Sequence, residues 1–167
     1  MLARAEKTLV WLNRAAVIAL MATMALLVFV NVISRYVFNH SIIWVEEVTQ
    51  YEMIWVTYLG AGLALREGRH VALDSLQDLL PLSLRRFARI FIWIAMFAFL
   101  IALTVLGFMM SAFTWDHETP VLNMHAGIPY LAIPIGALLF ALHLVLIARD
   151  FVEKRFEQVE DLEAYAE

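Results

Sequence analysis

The 167-residue chain has no cysteine, only six glycines and four prolines, and little charge: 17% of its residues are charged and 63% are hydrophobic. Without cysteine there are neither disulfides nor thiolate ligands, which removes disulfide-stapled secreted scaffolds and thiolate-held metal clusters. The low charge content and a formal net charge of −4 exclude intrinsic disorder and nucleic-acid binding. Soluble domains carry about 25% charged residues. At a mean hydropathy of +0.77, a soluble domain of this size could not keep its apolar surface out of water. One polytopic membrane domain remains.

Uncharged runs cover Ala15–Ser34, Ile90–Trp115 and Thr119–Ala148. Each supplies the roughly 20 residues that cross about 30 Å of hydrocarbon. Gly127-Ile128-Pro129 places the start of the last span near Ile128, because proline suits a first helical turn. A further span, Trp44–Leu65, is less apolar and admits Glu46, Glu47 and Glu52, with Trp44 and Tyr51 near one membrane boundary and Arg66 at the other. The expected fold is therefore an all-α membrane protein with four transmembrane helices, at about 12–34, 44–65, 90–115 and 128–148.

Lysine and arginine set the expected orientation. Arg4, Lys7 and Arg14 precede the first span, and Arg66, Arg69, Arg85, Arg86 and Arg89 lie between the second and third. Arg149, Lys154 and Arg155 follow the fourth. Only Arg35 falls in the first connection, and the third, around Asp116-His117-Glu118, has no basic residue. The positive-inside rule then puts both termini and the middle loop in the cytoplasm. The first apolar run ends in Asn31-Val32-Ile33-Ser34-Arg35 without a small-x-small cleavage site, so it is expected to stay as an anchor. In the middle loop, Leu73, Leu76 and Leu80 follow helical spacing with Asp74, Gln77 and Asp78 opposite, and Pro81 ends the run. A short amphipathic helix at about 71–80, lying in the interface, is expected; a hairpin packed beneath the bundle is the alternative. Residues 150–167 are acidic and helix-prone, an expected extension of the last span.

Charges inside spans are costly and face protein or a partner. At 100° per residue, Glu47, Gln50, Tyr51, Ile54 and Tyr58 share one side of the second span, and Glu52 projects elsewhere. Glu52 has three readings: an intrachain basic partner, protonation, or a second protein. Arg35, Glu46 and Glu47 are expected to form a charge cluster at the outer boundary. Glu46 and Glu47 also suit the first turn of a helix without further function. Tyr51, Trp55 and Tyr58 are the candidates for partner contact. Gly60 and Gly62, and Gly136 with Ala137, permit close helix approach, and Pro134 should bend the last span. Trp11, Trp44, Trp93 and Trp115 fall near span ends and read as an interfacial belt.

Haem ligation would need histidines on facing spans at matching depth. Only His143 lies inside a span, which favours an interhelical hydrogen bond. No Ser-His-Asp set, phosphate-cradling loop or metal-spaced cluster occurs, so neither enzymatic activity nor a cofactor is expected. A membrane anchor of an electron-transfer enzyme and a small free-standing exporter stay as alternatives to an accessory subunit.

Several segments, taken in order, resemble the small membrane subunit of the tripartite ATP-independent periplasmic (TRAP) transporters. The first is Asn31-Val32-Ile33-Ser34-Arg35-Tyr36-Val37-Phe38 with Trp44-Val45-Glu46-Glu47. Next come Trp55-Val56-Thr57-Tyr58-Leu59-Gly60-Ala61 and Arg66-Glu67-Gly68-Arg69-His70-Val71-Ala72-Leu73-Asp74. The last is Ile128-Pro129-Tyr130-Leu131-Ala132-Ile133-Pro134-Ile135-Gly136. Gln50 stands where the family often has a basic residue, and Glu52 where it has an apolar one. The resemblance implies a four-helix inner-membrane subunit of a bacterium or archaeon. Such a subunit acts as a scaffold for a large permease that takes up an organic acid, driven by an ion gradient, commonly sodium. A periplasmic binding protein delivers the substrate, and the membrane lipids are the other partner.

Overall fold

The structure is a computed structural model that describes residues 2–66 and 82–148. The expected interfacial helix at 71–80 and the extension at 150–167 lie outside these residues. The described residues form α1 (Leu2–Val37), α2 (Ile43–Arg66), α3 (Leu82–Phe113), α4 (Gly127–Tyr130) and α5 (Ala132–Leu146). Among them there is no strand, only an isolated bridge between Glu118 and His125.

Each helix is as long as its sequence allows. Residues 2–37 contain neither glycine nor proline, so nothing interrupts α1, and its 36 residues span roughly 54 Å at 1.5 Å per residue. That exceeds the hydrocarbon thickness, so α1 extends well beyond the expected span of 12–34 on its N-terminal side. Beyond Val37 the chain reverses through Asn39, whose φ of 50° is the left-handed conformation that asparagine tolerates. The reversal is tied down when Ser34 Oγ donates to the His40 carbonyl (2.6 Å) and the Ile42 N–H donates to Asn31 Oδ1 (2.8 Å). α3 starts directly after Pro81. The last span divides into α4 and α5 at Leu131, whose backbone stays helical (φ −60°, ψ −20°), because Pro134 has no N–H to offer the Tyr130 carbonyl.

The helices pack in a row, α1 on α2, α2 on α5, and α5 on α3. α2 and α5 are thus the inner members, and α1 and α3 flank them with long apolar faces exposed, including Phe29, Val32, Phe99 and Met109. Among the described residues, three segments are long and apolar enough to cross a membrane: Glu6–Val37, Phe87–Phe113 and Gly127–Leu146. α2 is not among them, because Gln50, Glu52 and its threonines and tyrosines dilute its apolar run. Hydroxyls on these helices are satisfied locally. Thr49, Thr57 and Thr104, and Thr114 just beyond α3, each donate to the carbonyl four residues back, which lets a polar side chain sit in apolar surroundings.

A buried cluster of Leu65, Leu100, Ala137, Ala141, Leu144 and Ile147 joins α2, α3 and the end of α5, with Trp93 and Phe97 packed on it. Trp93 is built into this core as well as being near a helix end: its ring stacks on Phe97 at 5.3 Å and its N–H donates to the Leu144 carbonyl at 3.1 Å. Two of the expected close-approach glycines hold. A Cβ on Gly136 would meet Tyr58, and one on Gly62 would meet His143 and Phe140. Gly60 faces open space, and the close approaches that sequence reading overlooked are Gly107, against Pro134, and Gly127, against Ser111 and Trp115.

Candidate functional site

Polar groups that reach between helices gather at two ends of the row. The loop end carries the 38–42 and 114–126 connections. There Glu47, in the second turn of α2, is only 7% exposed. Its Oε1 accepts the Tyr51 hydroxyl (2.7 Å), one helical turn further on. Its Oε2 accepts the backbone N–H groups of Val121 (2.7 Å) and Leu122 (3.1 Å) from the connection after α3. Three donors thus converge on one carboxylate. Hydrogen bonds to a charged acceptor are roughly twice as strong as neutral ones.

The loop is shaped to present those amides. Asn123 adopts the left-handed conformation at φ 49°. The Thr119 N–H donates to the Met124 carbonyl (2.9 Å), and the Ala126 N–H to the His117 carbonyl (2.8 Å), which closes a tight hairpin around Pro120 and Asn123. Thr119 is buried and its Oγ1 accepts the Met124 N–H at 3.3 Å. At the hairpin's base, His125 stacks on Trp115 (5.4 Å), with Nδ1 2.9 Å from the Trp115 carbonyl. Ser111 donates to the Gly127 carbonyl (2.8 Å), fastening α3 to α4. Glu47 therefore ties the inner helix α2 to the loop between α3 and α4, across 74 residues of sequence.

The other expected site residues fall as follows. Arg35, at the end of α1, and Glu46 are exposed, and among the described residues no ion pair joins Arg35 to Glu46 or Glu47. The loop amides and Tyr51 occupy the place expected for arginine. Tyr51 is turned to Glu47, and Tyr58 lies against Gly136, so both serve contacts within the chain. Trp55 is half-buried. Glu52 reaches α1: Thr23 donates to its Oε1 at 2.8 Å, and Oε2 is buried with no hydrogen-bond partner among the described residues. Thr23 is a lone hydroxyl in a long apolar run, and its link to Glu52, 29 residues away, leaves no periodic signal in the sequence.

At the opposite end, His143 is fully buried. Its Nε2 lies 3.3 Å from Asn13 Nδ2, which also donates to the Leu59 carbonyl at 3.1 Å. This is the interhelical hydrogen bond expected for His143, now joining α1, α2 and α5 through a residue that sequence reading passed over. Arg66 and Glu6 form an ion pair beside it. Interhelical hydrogen bonds in membranes contribute about 0.6–1.7 kcal/mol. Asn13→Leu should destabilise the chain by an amount in that range, read as a lower melting temperature in mild detergent. Unchanged melting would mean that the Asn13–His143 contact holds nothing together.

Comparison with known proteins gives the arrangement a context. The family described as tripartite ATP-independent periplasmic transporters, DctQ component, matches residues 24–153. Over 182 aligned residues the chain is 28% identical to the C4-dicarboxylate TRAP transporter small permease protein DctQ of Vibrio cholerae. That match covers 86% of this chain and 75% of that protein. It is 27% identical to the ectoine TRAP transporter small permease protein TeaB of Halomonas elongata, over 71% of this chain and 62% of that protein. A third similarity, 31% over 52% of this chain, takes up only 14% of the sialic acid TRAP transporter permease protein SiaT of Haemophilus influenzae. The chain thus spans less than two thirds of some of these relatives.

Proposed function

The chain belongs to the DctQ-component family of the tripartite ATP-independent periplasmic transporters, and on that premise we propose that it is a scaffold for a large permease subunit. It is a multi-pass inner-membrane protein. In the proposed role it braces a permease that takes up an organic acid, driven by a sodium gradient, after a periplasmic binding protein has delivered the substrate. The observation that carries this reading is the open row of helices. α1 and α3 leave wide apolar faces, while the polar contacts between helices are spent on fixing α2 and α5 in place. Such a body offers a rigid surface to a second membrane protein. The similarity to a short part of SiaT, a longer permease, supports placing the partner in the same membrane.

The topology belongs to the same proposal. α2 counts as the fourth span because it is fully helical and packed between α1 and α5. Glu46 sits in its first turn, where a carboxylate suits the helix dipole. With basic residues held inside, the loop end faces the periplasm and both termini face the cytoplasm. Because the natural chain has no cysteine, single substitutions can be labelled without background. Asn123→Cys should react with a membrane-impermeant maleimide in intact spheroplasts, and Glu160→Cys only after lysis. Reaction of both in intact spheroplasts would refute the topology. For the role itself, a tagged chain should bring down a large permease in mild detergent, and deleting its gene should abolish uptake of the organic acid. Normal uptake in the deletion strain would reject it.

A further inference from the structure

The end of the row opposite the Glu47 carboxylate carries a group of basic side chains that the proposed scaffold role does not account for. Lys7, Val10, Trp11 and Arg14 recur at i, i+3, i+4 and i+7, which puts them on one face of α1. With Arg66, in the last turn of α2, they line an open cavity of about 210 Å³. Three cations thus meet around a space whose other walls are a valine and an indole. Glu6 pairs with Arg66, and Arg66 Nη1 is buried without a hydrogen-bond partner among the described residues. Trp11 is 66% exposed, and the uncharged run that crosses the membrane begins at Ala15, directly beyond Arg14. Tryptophan and basic side chains at the end of a span sit at headgroup depth.

We propose that this cavity binds the phosphodiester of an anionic glycerophospholipid. Lys7, Arg14 and Arg66 face the phosphate oxygens, and Val10 and Trp11 pack against the glycerol and the first acyl carbons. Basic pockets between transmembrane helices are recognised headgroup sites. A free phosphate shares the anionic chemistry but gains nothing from the valine and indole walls, and those walls favour the lipid. The inference stands apart from the scaffold role: it needs only that α1 is a span, and it holds or fails whether or not a permease binds.

The test uses the full chain in mild detergent, with phosphatidylglycerol, phosphatidylcholine or inorganic phosphate added, read by thermal unfolding and by native mass spectrometry of retained lipid. Phosphatidylglycerol should raise the melting temperature and stay bound, whereas phosphatidylcholine and inorganic phosphate should do neither. Lys7→Gln should weaken phosphatidylglycerol binding by about fivefold, and Lys7→Gln with Arg14→Gln by more, since each cation near a membrane surface contributes on that scale. Lys7 is exposed, so the single variant carries the test if the double variant does not fold. Equal binding of phosphatidylcholine, equal protection by inorganic phosphate, or undiminished affinity in Lys7→Gln would each overturn the proposal.

Discussion

Glu47→Ala is expected to lower the melting temperature of the detergent-solubilised chain and to cut its yield in the membrane several-fold, a common result when a buried polar network is broken. The substitution removes both acceptors at once. The Val121 and Leu122 amides lose the oxygen they share, and the Tyr51 hydroxyl loses its partner on the same helix. These donors are part-buried, so water replaces the lost acceptor only in part and the remainder is a cost. Glu47→Gln separates geometry from charge. Its carbonyl can still accept the two amides while its NH2 turns to the tyrosine oxygen, so it should fall between Ala and the natural residue. Glu46→Ala, one position away and exposed, should melt like the natural chain. If Glu47→Ala melted like Glu46→Ala, the carboxylate would not be fastening the loop. If Arg35→Ala were as damaging as Glu47→Ala, a charge cluster would be the better description of this end.

The contact matters for function through what it connects. α2 and α5 are the inner helices, and the 114–126 loop caps the far side of the row at α3 and α4. A single carboxylate that reaches from α2 to that loop makes one end of the molecule a continuous unit. In the scaffold reading, that end is the periplasmic rim beside which a binding protein would dock. Loss of the contact should then lower uptake by more than the fall in membrane yield accounts for.

Hydropathy made the helices legible, and ambiguity arose where polar groups interrupt them. α1, α3 and the last span follow from uncharged runs alone. Pro134 was readable as an interruption of the last span, and the helix divides at Leu131, three residues before it. Glu47 was picked out because a carboxylate inside a span needs a partner. Sequence could not supply that partner, which is a pair of backbone amides in a distant loop, and amides look alike at every position. Only Pro120 and Asn123 hinted that a tight turn stood there. Asn13 went unnoticed for a related reason: one asparagine near the start of a long helix carries no periodic signal, and its importance comes from His143 lying opposite it, 130 residues away. The glycines show the same limit. Gly60 and Gly62 are two residues apart and equally small, yet 200° of helical rotation separates them, and only the neighbour's position tells which one needs to be glycine.

Gly136→Ala should be the most damaging of the alanine substitutions at Gly60, Gly62, Gly107 and Gly136. A Cβ there would lie 2.4 Å from the Tyr58 Cβ, 2.8 Å from its carbonyl carbon and 2.9 Å from its carbonyl oxygen. None of these atoms can move by a side-chain rotation, so α2 and α5 would have to separate. Overpacking of this kind costs about 1–3 kcal/mol. α2 and α5 are the central pair of the row, so separating them disturbs the seats of both flanking helices. Gly107→Ala, which meets the Pro134 ring at 2.8 Å, should follow closely. Gly62→Ala should be milder, since its nearest contact, His143 Cδ2 at 2.8 Å, is a side-chain atom with some freedom to yield. Gly60→Ala meets nothing within 4 Å and should be neutral or slightly stabilising, because alanine is the better helix former. Melting temperatures of the four variants in one detergent test the order directly. A tolerated Gly136→Ala would mean that α2 and α5 do not pack at this distance. Losses at Gly136 and Gly107, with Gly60 untouched, would tie the rigidity of the row to backbone contact between its helices.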